Sequence, residues 1–260
     1  MTLLSFTTFL LLIFLSSFAS VAAIPEDQVI NICAEDAGWI PYSRPVKLKA
    51  GGGYEFTGYN RDVAEAVFTK HNIKFKFEIR PWQRCLKEAI DGNIHIVLDA
   101  AANDERRRDY LLTNSVYKMT PAYFYHSDND KSFKMKSADF ILNNTPICGQ
   151  SGYTYKNFGI PNEEVKKLSK ALRRIIDLVR AKRCRIGLTR LEVLQRELPE
   201  AKGAEDISYS MIKDAKKEEF FWLINKKFNF SDDLKRIINN ELRVLEQSGK
   251  LKEISNKYKI

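Results

Sequence analysis

Between Gln28 and Leu98, apolar strand patterns alternate with amphipathic helix patterns, and no other feature of the chain narrows its possible folds as far. Gln28 to Cys33 carries Val29, Ile30 and Ile32 in an extended run. A helix is expected from about Arg61, where Val63, Ala66 and Val67 fall at i, i+3, i+4 spacing and Asn60 stands where a cap belongs. Phe75 to Ile79 alternates as a half-buried strand. A second helix from Trp82 sets Leu86, Ala89 and Ile90 on one face, Gly92 ends it, and Ile94 to Leu98 supplies the next strand. Strand, helix, strand, helix, strand implies a parallel sheet, since parallel neighbours need a crossover long enough to hold a helix. The expected class is α/β. In such open sheets ligands bind beyond the carboxyl ends of the strands, where Asp36 and Trp39, Trp82, and the segment Asp99 to Arg106 fall.

The second half repeats the theme. Val165, Leu168, Leu172, Ile175, Ile176 and Val179 share one stripe of a helix expected over Glu163 to Val179, and a short strand around Ile186 follows. The last segment is helical, with Leu234, Ile237, Ile238, Leu242 and Leu245 in phase, a break at Gly249, and Leu251, Ile254 and Tyr258 beyond it. At 260 residues the chain suits one large or two modest domains. Its 44% hydrophobic and 12% aromatic content excludes disorder, and 12 Gly with 8 Pro exclude a low-complexity or collagen-like chain. No Pro-, Gly- or Ser-rich linker separates the halves, so two compact lobes joined by crossing strands, with a cleft at the join, are expected.

Met1 to Ala23 carries no charged side chain, holds an apolar run from Phe9 to Leu15, and ends on the small residues Val21-Ala22-Ala23. That is a secretory signal, too short to span a bilayer as a helix, and it places the mature chain outside the cytoplasm. Export gives the even number of cysteines a meaning. Four cysteines allow three pairings; Cys33 and Cys85 lie in the first half and Cys148 and Cys184 in the second, which favours pairing within halves. No C-x2-C pair occurs and His71, His95 and His126 are far apart in sequence, so no metal or other cofactor is expected. The net charge of +9 favours acidic partners. A nucleic acid is set aside because of the export signal and the lack of a recognisable binding motif.

The runs Gly58-Tyr59-Asn60-Arg61-Asp62-Val63, Pro81-Trp82, Asp91-Gly92-Asn93-Ile94, Asp104-Glu105-Arg106, Ser115-Val116-Tyr117 and Ser248-Gly249-Lys250-Leu251, in this order and spacing, resemble the family 3 solute-binding proteins of amino-acid ABC transporters. The resemblance spans almost the whole mature chain. It extends to a cysteine-containing branch through Ile147-Cys148-Gly149-Gln150-Ser151-Gly152-Tyr153 and Arg183-Cys184. It implies a two-lobed type II periplasmic binding protein, each lobe a mainly parallel sheet flanked by helices. Lobe one would comprise residues 24–118 and 219–260, and lobe two residues 119–218. Two hinge strands, near Tyr117 to Tyr125 and Met211 to Phe221, would let the lobes close on a solute.

The resemblance also nominates site residues. Arg106 matches the family arginine that forks onto a ligand carboxylate, a contact suited to a planar guanidinium. The family Thr five positions earlier is Ala101 here, and Asn103 is the polar substitute. Trp39 and Trp82 match aromatic walls, and Asp36 matches a polar ligand contact. Gln150 and Ser151 are hydrogen-bonding candidates in lobe two, while His95 reads as structural. Where the family commonly binds an ammonium group with Asp, this chain has Arg190. A cation there repels an ammonium, so an Arg190 reaching into the cleft points to a solute with two anionic ends or none that is cationic; the alternative turns Arg190 to solvent and gives the ammonium to Glu192.

The leading expectation is a monomeric, non-enzymatic periplasmic protein that captures an amino acid or related carboxylate and delivers it to an ABC permease. Two other readings use the same fold. One is an enzyme resembling cyclohexadienyl dehydratase, with Glu192 as general acid. The other is a sensor or interaction module, disfavoured because no signalling domain follows Ile260.

Overall fold

The computed structural model describes residues 24–48, 52–213 and 215–260; the expected signal segment, Met1 to Ala23, lies outside the described residues. The chain opens with strand β1 (Val29–Glu35), the hairpin strands β2 (Arg44–Lys47) and β3 (Tyr54–Thr57), helix α1 (Tyr59–Thr69) and strand β4 (Lys74–Arg80). Helix α2 (Trp82–Asp91), β5 (Ile96–Ala101), α3 (Asp104–Asp109), β6 (Tyr110–Leu112) and β7 (Tyr117–Met119) follow. β1 pairs in parallel with both β4 and β5, and α1 and α2 supply the crossovers, as the alternation requires. α1 buries Val63, Ala64, Val67 and Phe68.

Two local expectations fail in this lobe. α1 starts two residues early, capped by Gly58 rather than Asn60. Gly58 holds φ 116, and a Cβ there would lie 2.6 Å from the Tyr42 carbonyl oxygen, so the close approach of two loops excludes a side chain. Asn60 is instead buried inside the first turn, where its side chain links Ser43, Asp99 and the Trp222 indole. Ile90 is exposed; α2 buries Cys85 and Ala89, because the Cys33–Cys85 disulfide fixes which face of the helix meets β1.

Only Thr120 separates β7 from β8 (Pro121–His126), which begins a second sheet. This lobe adds α4 (Asp130–Phe133), α5 (Ala138–Leu142), β9 (Ile147–Gln150), β10 (Val165–Ser169), α6 (Leu172–Arg180), β11 (Ile186–Arg190), α7 (Leu191–Glu197) and β12 (Ile207–Met211). Its strands run in the order β10-β9-β11-β8-β12, and Cys148–Cys184 ties it internally. Both disulfides therefore follow the pairing within halves. The helix expected over Glu163 to Val179 is only its second part. Val165 to Ser169 pairs in parallel with β9, burying Val165 and leaving Leu168 exposed, so these residues matched the helical period by coincidence.

The chain then returns: β13 (Glu218–Asn225) enters the first sheet antiparallel between β5 and β6, and α8 (Ser231–Gln247) and α9 (Lys250–Tyr258) finish the first lobe. The sheet order β4-β1-β5-β13-β6 leaves the carboxyl ends of β1 and β5 facing the second lobe, with the β7–β8 and β12–β13 connections crossing between them.

Candidate functional site

Where the lobes meet, Glu35, Trp39, Trp82, Asp99, Ala101 and Arg106 of the first lobe, with Phe220, face Tyr153, Thr154 and Arg190 of the second. The space among them is about 20 Å³, room for a single water-sized group.

Arg106 owes its position to a short helix. Asn103 caps α3, its Oδ1 accepting from the Arg106 backbone N–H at 2.7 Å, and this turns the Arg106 side chain inward while Arg107 and Arg108 remain exposed. The guanidinium donates from Nη1 to the Ala101 carbonyl at 2.5 Å and lies 5.2 Å from the centre of the Trp82 ring. Burial, and secondarily the charge of Arg190, lower its pKa to about 10, so it stays cationic at neutral pH. The indole Nε1 atoms of Trp39 and Trp82 are buried without hydrogen-bond partners, as is Asp99 Oδ2. The first-lobe residues that line the cavity thus include one buried cation, two indoles with unpartnered N–H groups and one carboxylate with an unpartnered oxygen.

Arg190 enters the cleft but is not free. Its Nε donates to Glu218 Oε2 at 2.7 Å, Nη2 lies 2.6 Å from the same carboxylate, and Nη2 also donates to the Thr154 carbonyl at 3.0 Å. Asn157 Nδ2 donates to Glu218 Oε1 at 2.9 Å. The guanidinium is walled by Phe158 at 4.7 Å, Tyr155 at 5.5 Å, Phe220 at 5.6 Å, Trp39 at 5.8 Å and Tyr153 at 6.0 Å. Both members of the pair are buried, with side chains 2% and 0% exposed. Of the two sequence expectations for Arg190, the side chain that enters the cleft is the one observed, with Glu218 as its counter-ion; it does not point to solvent.

A second contact spans the cleft, from the Tyr153 hydroxyl, which donates to Glu35 Oε2 at 2.7 Å. Burial raises the Glu35 pKa to about 7, a rise that the Tyr153 hydrogen bond partly offsets. Gly152, next to Tyr153, has φ 85, and a Cβ on it would lie 2.7 Å from Gln83 Nε2 and 3.0 Å from Trp82 Cδ1.

The structure brings Trp39, Trp82, Arg106 and Arg190 together and leaves the other nominated residues outside. Asp36 is exposed, and its neighbour Glu35 takes the inward position, because consecutive residues at a strand end point to opposite faces. Asn103 is occupied as a helix cap. Gln150 is buried, donating from Nε2 to the Lys170 carbonyl, and the Ser151 backbone N–H pairs with Ser169; Tyr153 and Thr154 of the same loop reach the cavity instead. Glu192 accepts from the Thr120 backbone N–H and hydroxyl. His95 is structural, accepting at Nδ1 from the Asn31 backbone N–H and stacking on Phe228. Glu35, Asp99, Thr154, Phe220 and Glu218 carried no motif; the one sequence signal was an acid inside the apolar run of β5.

The sequence profile of the bacterial extracellular solute-binding proteins, family 3, matches residues 34–259. No curated protein matches the sequence. A Streptococcus pneumoniae ABC uptake transporter substrate-binding protein, solved with bound histidine, is 20% identical over 88% of this chain and 92% of its own, with a TM-score of 0.66. An amino acid ABC transporter substrate-binding protein from the same organism, bound to L-arginine, is 14% identical over 88% and 93%, with a TM-score of 0.68. An ancestral amino acid-binding protein, a precursor of cyclohexadienyl dehydratase, is 19% identical over 88% and 94%, also at 0.68. At these identities the likeness is one of fold.

Proposed function

This chain belongs to the bacterial extracellular solute-binding proteins of family 3, and from that premise we propose that it captures a small carboxylate-bearing solute, an amino acid or a related anion, between its lobes. The observation that carries the reading is Arg106: a buried, cationic guanidinium beside two unpartnered indole N–H donors at the carboxyl ends of the sheet. A carboxylate beside Arg106 is matched by its charge and by the guanidinium donors that the Ala101 carbonyl leaves free. The cavity is far smaller than an amino acid, so the solute enters with the lobes apart, and rotation about the β7–β8 and β12–β13 connections closes them on it less tightly than in this arrangement. Lobe one then comprises residues 24–118 and 219–260, and lobe two residues 119–218. Delivery to an ABC permease, by a monomer on the outer face of the cytoplasmic membrane after removal of Met1 to Ala23, completes the reading. No helix among the described residues is long and apolar enough to cross a membrane. Binding without turnover is preferred to a dehydratase role, because Glu192 is spent on Thr120 and does not line the cavity.

Thermal shift followed by titration calorimetry against amino acids and small carboxylates tests this. Arg106→Ala is expected to weaken binding by about 2–5 kcal/mol, the loss when one partner of a buried charge pair is truncated, while exposed Arg107→Ala changes little. Equal, small effects from both variants defeat the assignment.

A further inference from the structure

Strand β13 and helix α3 each present two faces where the lobes meet. Glu218 and Phe220 turn toward Arg190 and the interlobe cavity, so by strand alternation Glu219 and Phe221 turn the other way. In α3, Arg106 points into the cavity and Arg107 away from it. The outward side chains line a separate groove of about 730 Å³, which shares no lining residue with the cavity. Arg107 and Lys118 reach it from the first lobe, Lys156 from the second, and Lys216 and Lys217 from the segment that crosses back. Three acids also line it, and two are spent. Glu219 pairs with Lys118 at 2.9 Å, and buried Glu218 is shared between Arg190 and the Asn157 amide. Asp104 alone is left against Arg107, Lys156, Lys216 and Lys217, none of which has a carboxylate partner among the described residues. On the open surface, by contrast, Lys87, Lys182, Lys250 and Lys257 each meet a carboxylate. Like charges gathered in a concave site repel one another and focus a positive field on the space between them.

We propose that this groove is a second binding site, for a multivalent phosphate anion, distinct from the solute site of the interlobe cavity. The inference goes beyond the proposed function and does not depend on which solute the cavity takes. The donor set favours phosphate over carboxylate. Three of the four unpaired cations are lysines, compact point charges on flexible stems that can gather around a tetrahedral, multiply charged group; a planar carboxylate is better matched by the fork of an arginine. Size favours several linked phosphates over one, because the groove has the volume of a small-molecule site rather than that of a single ion. Ala102 and Phe221 are the apolar side chains of the lining, too few to hold an apolar molecule, and the unpaired cations repel a metal ion. A multivalent anion supplies what the fold does not, a counter-charge shared by cations from both lobes and from the crossing segment.

The test is titration calorimetry of the whole protein with inorganic triphosphate at about 0.15 M ionic strength, where charges beyond about 8 Å are screened and the overall charge of +9 no longer gathers anions by itself. The expected result is saturable one-to-one binding, weakened at least about tenfold in Lys156→Glu/Lys217→Glu by the loss of charged hydrogen-bond donors. Lys134→Glu/Lys252→Glu removes the same charge from exposed positions outside the groove and is expected to leave binding within about twofold. All four lysines are exposed, so both variants should fold, and their melting curves check it. Arg106→Ala, altered only in the cavity, should bind triphosphate like the wild type. Absence of saturable binding overturns the inference. So do equal losses in the two double variants, which would make the attraction one of net charge, and a loss in Arg106→Ala, which would put the anion in the interlobe cavity. The protein is expected to stay behind when phosphatidylglycerol vesicles are floated; protein carried up with them, and released by Lys156→Glu/Lys217→Glu, assigns the phosphate to a lipid headgroup and overturns the small-anion reading.

Discussion

The Arg190–Glu218 pair joins the second sheet to the first strand residue after the return crossing, so it should govern closure as much as folding. Glu218→Gln removes the charge but keeps the shape. In the closed form this leaves a guanidinium, 2% exposed, with one neutral carbonyl partner, Thr154, and a ring of aromatic walls. Breaking a buried pair by removing one partner costs about 3–5 kcal/mol. Part of that cost falls on the second lobe, whose Thr154, Tyr155 and Phe158 also surround Arg190; opening the cleft relieves the part that Trp39 and Phe220 of the first lobe enforce by covering the guanidinium. A penalty of about 3 kcal/mol changes the closed-to-open ratio by about 100-fold. Small-angle scattering should show Glu218→Gln with a larger radius of gyration than wild type. The double variant Arg190→Met/Glu218→Met, which has no charge left to strand, should return toward the wild-type curve, giving a favourable coupling between the two sites. A Glu218→Gln protein with wild-type scattering and an unchanged urea midpoint would refute the reasoning, since packing of the aromatic walls alone would then set the closure.

Other changes test the same contacts from different sides. Gly152→Ala adds a methyl within 3.0 Å of Trp82 across the cleft at φ 85, and should displace the scattering curve toward the open form without shifting the unfolding of either lobe. Glu35 holds its proton more tightly when enclosed, with a pKa of about 7 against 4.5 in water, so closure is favoured most below about pH 4.5 and loses about 3 kcal/mol as pH rises through 7. Scattering across that range should show progressive opening, and Glu35→Gln should remove the part of the slope above about pH 6, the value to which burial raises the Asp99 carboxyl of the same cavity; a slope unchanged there in the variant contradicts the assignment. Reduction should cost each disulfide's loop entropy, about 4 kcal/mol for separations of 52 and 36 residues, unless the reduced chain retains structure. Calorimetry with and without a reductant measures it, and an unchanged melting temperature counts against that contribution.

The parallel core and the long final helices were legible because their periods are long and their apolar faces are buried, as Leu234, Ile238, Leu242 and Leu245 are in α8. Failures came where a local pattern had two solutions. Val165 and Leu168 fit a helical stripe, and only pairing with β9 decides that they belong to a strand. Asp36 and Glu35 are one residue apart at the end of β1, and a shift of one reverses which side chain faces the cleft. Sequence spacing at a strand end cannot resolve that difference, because the register there is set by β4, which pairs Glu35 with Arg80.

Charge was the hardest property to place, and it changes the chemistry inferred for the site. A count along the chain finds Arg106 and Arg190 as two cations near a cleft, which would attract an anion at both ends. Glu218, 28 residues beyond Arg190, opens β13 at the return crossing between the lobes and cancels one of them. Glu35 and Asp99 then bring the cavity to one cation and two acids, all in the first lobe. With the acids ionised, the lining carries a net negative charge where a count along the chain finds two positive ones. The reversal comes from pairing over distance, which composition and spacing do not contain.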